Sequence, residues 1–268
     1  MKEIKTNLRW PGGKSKMTKI LDNFFPKEVN KYLETFTGGG SVLLHVIQKY
    51  NPQVVYANDI DGNLIRYYED VKTNPQILIE ECLEVKNKHT KETFAEEFKK
   101  LNREIGSHFF ISNKTSFSGL NKNYAPLAYD RNFTVKCINR INDISNVIQN
   151  TTFINGDFAK LDDVIDDISD FFIYLDPPYC DNKEKGLYGK KGELHKEFNH
   201  IALYEWVKKH SKNNKIMLSY DDSPYIRELY KDFNIYSFDF VYSMTNTGGH
   251  LCKTGKEIVI TNYDIEEN

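Results

Sequence analysis

Asp176-Pro177-Pro178-Tyr179 closes an apolar run that begins at Phe171. A carboxylate, two rigid prolines and a phenol in succession leave a strand and cannot continue as helix. Each proline fixes φ and lacks an N–H, so the backbone there is extended and donates nothing. The carbonyls and the Asp176 carboxylate are left as acceptors beside the Tyr179 ring. That set suits a planar molecule with an exocyclic amino group, which would donate hydrogen bonds while its face stacks on the tyrosine. Pro-Pro alone reads most simply as a strand followed by a turn. The full tetrapeptide at a strand end carries the stronger reading.

A second cluster surrounds Phe36-Thr37-Gly38-Gly39-Gly40-Ser41, where a strand gives way to a helical pattern. Glycines there permit positive φ and close backbone approach, and a helix N-terminus offers N–H groups to an anion. A dinucleotide fingerprint would need a further glycine where Leu43 stands, which argues against a nicotinamide cofactor. Asp59 follows Gly40 at the end of the next strand, where a carboxylate can accept from both hydroxyls of a ribose. A structural turn with a loop aspartate explains these residues about as well when they are taken alone.

Trp10-Pro11-Gly12-Gly13-Lys14-Ser15 has the look of a phosphate loop, but the first glycine of that motif would fall at Leu8 and no apolar strand precedes it. An NTPase is therefore rejected. Lys14 near a Gly-rich turn can instead pair with a carboxylate, and Trp10 can pack on a ribose or on adjacent chain; the plainer reading is a solvated helix cap. Asn155-Gly156-Asp157-Phe158 follows another short strand. There an acceptor and an aromatic ring stand side by side, as suits an adenine, although an ordinary turn is the better reading of these residues alone.

The elements that must position these residues are legible from pattern. A strand at 32–36, a Gly turn, an apolar helical stretch through Leu44, Val46, Ile47 and Tyr50, and a strand at 54–57 make a right-handed βαβ unit. From about Asn63 to Asn150 the chain turns Lys- and Glu-rich, with amphipathic stretches at 77–85 and 94–105 and an aromatic, Asn-rich interruption at 109–131. This predicts a helical insertion. Strands resume at 152–154, 171–175 and 216–220, and the segments 235–242 and 257–263 predict an antiparallel pair.

The chain has 268 residues, 40% hydrophobic and 28% charged, enough for one domain or one domain with an insert. No apolar run approaches the ~20 residues that span a bilayer, and the N-terminus lacks a signal-peptide core, so a cytoplasmic protein is expected. Four separated cysteines form no metal-ligand spacing and predict neither zinc nor disulfides. A net charge of −2 fails the simple test for a nucleic-acid binder. Local clusters such as Lys183, Lys185, Lys190 and Lys191 leave that question open, because a local field is set locally.

Taken in order, Trp10 to Lys14, Phe36 to Ser41, Asn58-Asp59, Asp157-Phe158 and Asp176 to Tyr179 resemble the S-adenosylmethionine-dependent DNA adenine-N6 methyltransferases of the Dam-like type. Thr115 to Leu120 and Gly255-Lys256-Glu257 extend the resemblance over nearly the whole chain. It implies an α/β fold: a Rossmann-like methyltransferase sheet with a C-terminal antiparallel strand pair and a mainly helical inserted recognition domain. Residues 1–69 and 151–268 would be catalytic and 70–150 would recognise the target.

By the same resemblance, Asp176, Pro177, Pro178 and Tyr179 are catalytic. Trp10, Lys14, Phe36, Gly38, Gly40, Ser41, Asp59, Ile60, Asp157, Phe158 and Asp176 hold S-adenosylmethionine. Arg103, Lys114, Asn121, Lys122, Asn123, Arg131, Lys185 and Tyr188 are candidates for contact with double-stranded DNA. The target base must rotate out of the stack to expose its amino group. No metal is implied, and a monomer is expected. A cognate restriction endonuclease, phage self-protection and solitary methylation all fit as settings. Rival readings keep the chemistry but change the substrate to cytosine N4 or RNA, or keep DNA binding without catalysis.

Overall fold

The computed structural model describes residues 3–179, 198–242 and 253–265. Seven strands form one mixed sheet in the order β3-β2-β1-β4-β5-β7-β6. They are β1 Lys31–Glu34, β2 Val54–Asp59, β3 Thr151–Asn155, β4 Phe172–Leu175, β5 Lys215–Asp221, β6 Asn234–Tyr242 and β7 Lys253–Thr261. The pairs β1–β4, β4–β5 and β2–β3 are parallel, whereas β5–β7 and β6–β7 are antiparallel. This is the Rossmann-like sheet with a terminal antiparallel pair that the family resemblance implied. By contacts the chain divides into two compact units, residues 1–18 with 36–158 and residues 19–35 with 159–268.

In the second unit, every residue of β4 is buried, as expected for a parallel strand covered on both faces. Leu33, Ile173, Leu218 and Val259 form its centre, and Leu203 and Val207 of the helix His200–His210 are fully buried with them. The register aligns Glu34 with Tyr174, Leu175 with Leu218, and Asp221 with Glu257. The last strand was expected at 257–263, but it runs from Lys253 to Thr261. Asn262 explains the earlier end. Its side chain accepts from Ile216 N–H and donates to the carbonyls of Ser211 and Asn214, so the chain leaves the ladder there.

In the first unit, the helix Ser41–Tyr50 follows β1, and the chain between β2 and β3 is helical. Its main helices are Gly62–Thr73, Pro75–Lys88, Gly106–Thr115 and Val135–Val147. Asp61 caps the first of these by accepting from Asn63 and Leu64 N–H, and Thr134 caps the last by accepting from Cys137 N–H. Leu64, Tyr67, Tyr68 and Val71 fall on one face at helical spacing and are buried. Tyr67 stacks on Phe110 at 5.9 Å and Tyr68 on Phe153 at 5.1 Å, which ties the helices to one another and to β3.

The amphipathic stretch 94–105 does not make one helix: Ala95–Lys100 ends where Asn102 begins to act on the backbone. The Asn102 side chain accepts from Glu104 N–H, and its own N–H donates to His108 Nδ1. A local Asx turn therefore competes with the helix and wins. The aromatic stretch 109–131, expected as an interruption, carries helix at Gly106–Thr115 and at Pro126–Asn132.

Candidate active site

The Gly turn after β1 is built by backbone conformation and two large side chains. Gly38 has φ 47° and Gly40 has φ 68°, both left-handed, and Gly40 immediately precedes the helix at Ser41. A Cβ on Gly38 would stand 2.7 Å from Trp10 Nε1, and one on Gly40 would stand 2.5 Å from Tyr68 Oη. The glycines thus make room for Trp10 and Tyr68, and Tyr68 Oη donates to the Gly38 carbonyl at 3.1 Å. Trp10 lies close against Gly38 and Gly39.

Asp59 ends β2 and is buried. Its Oδ2 accepts from Gly38 N–H at 2.8 Å and its Oδ1 from Asp61 N–H at 2.9 Å. Burial lifts its carboxyl from 3.8 to about 6, and the backbone hydrogen bonds oppose that rise. A carboxylate locked against a glycine turn by main-chain donors keeps further lone pairs for hydroxyl donors. Ile60 beside it is 52% exposed.

Asn155 Nδ2 donates to the carbonyls of Asp59 and Ile60, which binds the ends of β2 and β3 together. Phe158 is buried and packs on Phe36 at 5.8 Å, while Asp157 is exposed. Lys14 is only 5% exposed, so it is no solvated cap; its Nζ donates to the Gly12 carbonyl at 3.0 Å. Ser15 and Ser41 hydroxyls lie 2.7 Å apart, drawing the Trp10–Ser15 segment to the start of the helix. The first unit therefore brings Trp10, Phe36, Gly38, Gly40, Ser41, Asp59 and Phe158 around one turn.

The second unit holds the tetrapeptide. Asp176 leaves β4, and its Oδ1 accepts from Ser219 Oγ on β5 at 3.0 Å. Ser219 Oγ also lies 2.8 Å from Tyr174 Oη. Tyr179 Oη donates to Glu257 Oε2 on β7 at 2.9 Å, and the Tyr179 ring sits 6.0 Å from that of Tyr220. Burial, with Asp176 and Glu257 nearby, holds the hydroxyls of Tyr174 and Tyr179 well above their ordinary pKa, so both are donors at any physiological pH. Ser219 and Glu257 were not singled out as functional from the sequence. They lie within continuous buried runs of β5 and β7, and the strand register needed to place them is not local.

The DNA-contact candidates separate by exposure. Lys122, Asn123 and Arg131 are exposed. Arg103 is half-buried, with Nε donating to Ser112 Oγ and its guanidinium over the Phe98 ring. Lys114 is 5% exposed and its Nζ donates to the Asn7 carbonyl, so burial turns it to the interior and lowers its pKa. Asn121 has φ 58° in a tight loop closed by Phe117 N–H donating to Asn123 O. Phe117 in that loop, within the Thr115 to Leu120 stretch, is an apolar side chain 68% exposed. Lys185 and Tyr188 lie outside the described residues. Among the described residues there is no cluster of His, Cys, Asp or Glu fit to hold a metal ion, and no helix is long and apolar enough to cross a membrane.

Residues 10–244 match the model of a family described as D12 class N6 adenine-specific DNA methyltransferase. Among curated proteins, the chain is 30% identical to the Type II methyltransferase M.MjaIII of Methanocaldococcus jannaschii, over 97% of this chain and 100% of that one. It is 29% identical to the Type II methyltransferase M1.LlaDCHI of Lactococcus lactis subsp. cremoris, over 98% of each. It is 27% identical to a DNA adenine methylase of Haemophilus influenzae, over 83% of this chain and 82% of that one.

Proposed function

Because the chain belongs to the D12 class of N6 adenine-specific DNA methyltransferases, we propose that it transfers a methyl group from S-adenosylmethionine to adenine N6 within a short duplex sequence. The observation that carries this reading is the Asp176 carboxylate, fixed by Ser219 at a strand end whose next residues are two prolines and Tyr179. Bound S-adenosylmethionine supplies a methyl group activated by its sulfonium.

The residues of the first unit fit such a donor. Asp59 would accept from the ribose hydroxyls, its two oxygens already aimed by Gly38 and Asp61 N–H. Trp10, Lys14, Phe36, Gly38, Gly40, Ser41, Ile60, Asp157 and Phe158 would complete that surface. In the second unit, Asp176 and the Pro177 carbonyl would accept from the amino group of the flipped base. Those bonds draw N6 towards pyramidal geometry and aim its lone pair. Tyr179 would hold the base face, worth ~1–3 kcal/mol by comparison with other aromatic platforms. The Asp176 carboxylate, hydrogen-bonded to N6, would take the proton that N6 loses once it carries the methyl group. Positioning and electrostatics carry the rate, so no strong base is required beforehand.

Residues 70–150 would read the target. The exposed Lys122, Asn123 and Arg131 suit phosphates or base edges, and the exposed Phe117 would offer an apolar face to a disturbed base step. Lys114 is left out of this surface by its burial. The chain would act as a monomer on DNA, and a restriction endonuclease reading the same sequence would be its natural partner. Transfer of labelled methyl from S-adenosylmethionine to unmethylated genomic DNA, with single-molecule mapping of modified bases, tests the whole reading. N6-methyladenine at one short motif is expected, and label in RNA or protein alone would overturn it.

A further inference from the structure

We propose that Ser219 and Tyr174 form a buried hydrogen-bond relay that aims the Asp176 carboxylate, making both positioning residues for methyl transfer. The inference rests on the proposed role of Asp176. Ser219 is fully buried, Tyr174 is 1% exposed, and neither is placed to meet substrate. Ser219 Oγ has one proton, and it goes to Asp176 Oδ1 at 3.0 Å. The 2.8 Å contact between Ser219 Oγ and Tyr174 Oη must then be a donation by the tyrosine. Tyr174 can make that donation at any working pH, because burial and the neighbouring carboxylates keep its proton on. The relay therefore runs in one direction, from Tyr174 through Ser219 to the carboxylate.

The backbone gives this relay its rigidity. Leu175 pairs with Leu218 in the parallel ladder, so Asp176 and Ser219 are the next residues on adjacent central strands. The two prolines that follow Asp176 carry no N–H to offer its carboxylate. Ser219 on the neighbouring strand supplies a donor that constrains the carboxylate. Aiming one oxygen fixes the plane of the carboxylate and hence the direction of the other. Hydrogen bonds to charged groups contribute about 1.5–3 kcal/mol each, and a carboxylate free to rotate would lose alignment with the amino group.

Single-turnover transfer to a defined duplex, with S-adenosylmethionine binding measured in parallel, tests the relay. Ser219→Ala should slow transfer about 10- to 100-fold, the rate equivalent of that bond. Its cofactor Kd and DNA Kd should change less than about threefold. Ser219→Thr, which keeps the hydroxyl, should recover most of the rate. Tyr174→Phe should fold normally and slow transfer by a smaller factor. If Asp176→Ala is inactive while Ser219→Ala and Tyr174→Phe both transfer at the wild-type rate, the relay is wrong and the role of Asp176 stands. If Asp176→Ala itself transfers normally, the underlying reading fails. A loss in Ser219→Ala that tracks its melting temperature, and that Ser219→Thr does not relieve, would also overturn the proposal.

Discussion

The Gly turn of the first unit and the strand end of the second are held by opposite means. Around the turn, the backbone does the holding: Gly38 N–H and Asp61 N–H grip Asp59, and left-handed glycines leave room for Trp10 and Tyr68. At the strand end, side chains from neighbouring strands do it: Ser219 on Asp176 and Glu257 on Tyr179. A site built from backbone shape loses stability as well as function when a Cβ is added. A site built from side-chain hydrogen bonds can lose its function while the fold survives. Burial at the turn also lifts the carboxyl of Asp59 to about 6.

The largest effect should come from the strand end. Asp176→Ala should lower single-turnover transfer by about a thousandfold or more, as expected when an interaction made with the reacting atom is removed. Its thermal unfolding should stay within a few degrees of wild type. An equally large loss of stability would erase the contrast.

Next comes the turn. Gly40→Ala should destabilise the chain by about 1–3 kcal/mol, through positive φ and overlap with Tyr68 Oη, as read by denaturant unfolding. Adding Tyr68→Phe removes the overlapping oxygen and should return part of the loss. Full stability in Gly40→Ala would show that the turn is not held by shape.

Protonation sharpens the comparison further. Hydroxyl donors favour ionised Asp59, so affinity for S-adenosylmethionine should fall about tenfold per pH unit below about 6. Asp59→Asn should bind weakly with a flat profile over the same range. In the unliganded protein, the same group contributes stability below its unfolded value of 3.8 that is lost as pH rises through about 6. The smallest effect is expected for Glu257→Gln. It keeps an acceptor for Tyr179 but removes the charge, and should weaken retention of a fluorescent base analogue by about two- to fivefold.

Much of this was legible in the sequence because its signals are local. Phe36 to Ser41 required a glycine turn between strand and helix, and the apolar run ending at Asp176 required a buried strand. The antiparallel pair at the C-terminus followed from two strand segments separated by a polar, Gly-containing stretch. What escaped depends on contacts between distant segments. The break at Asn102 and the early end of β7 at Thr261 come from single asparagine side chains that capture backbone groups. Ser219 and Glu257 acquire meaning only once the register sets them beside Asp176 and Tyr179. Lys114 showed the converse: a cation in a polar stretch reads as surface until the fold buries it.

Single-turnover methyl transfer at saturating S-adenosylmethionine and DNA, run side by side on Asp59→Asn and Asp176→Ala at pH 7.5, tests the division of labour most directly. Saturation should return Asp59→Asn to within about tenfold of the wild-type rate, because its defect lies in binding, while Asp176→Ala stays about a thousandfold slow. If both variants remain equally slow at saturation, or if Asp176→Ala recovers and Asp59→Asn does not, the assignment of binding to the turn and chemistry to the strand end is contradicted.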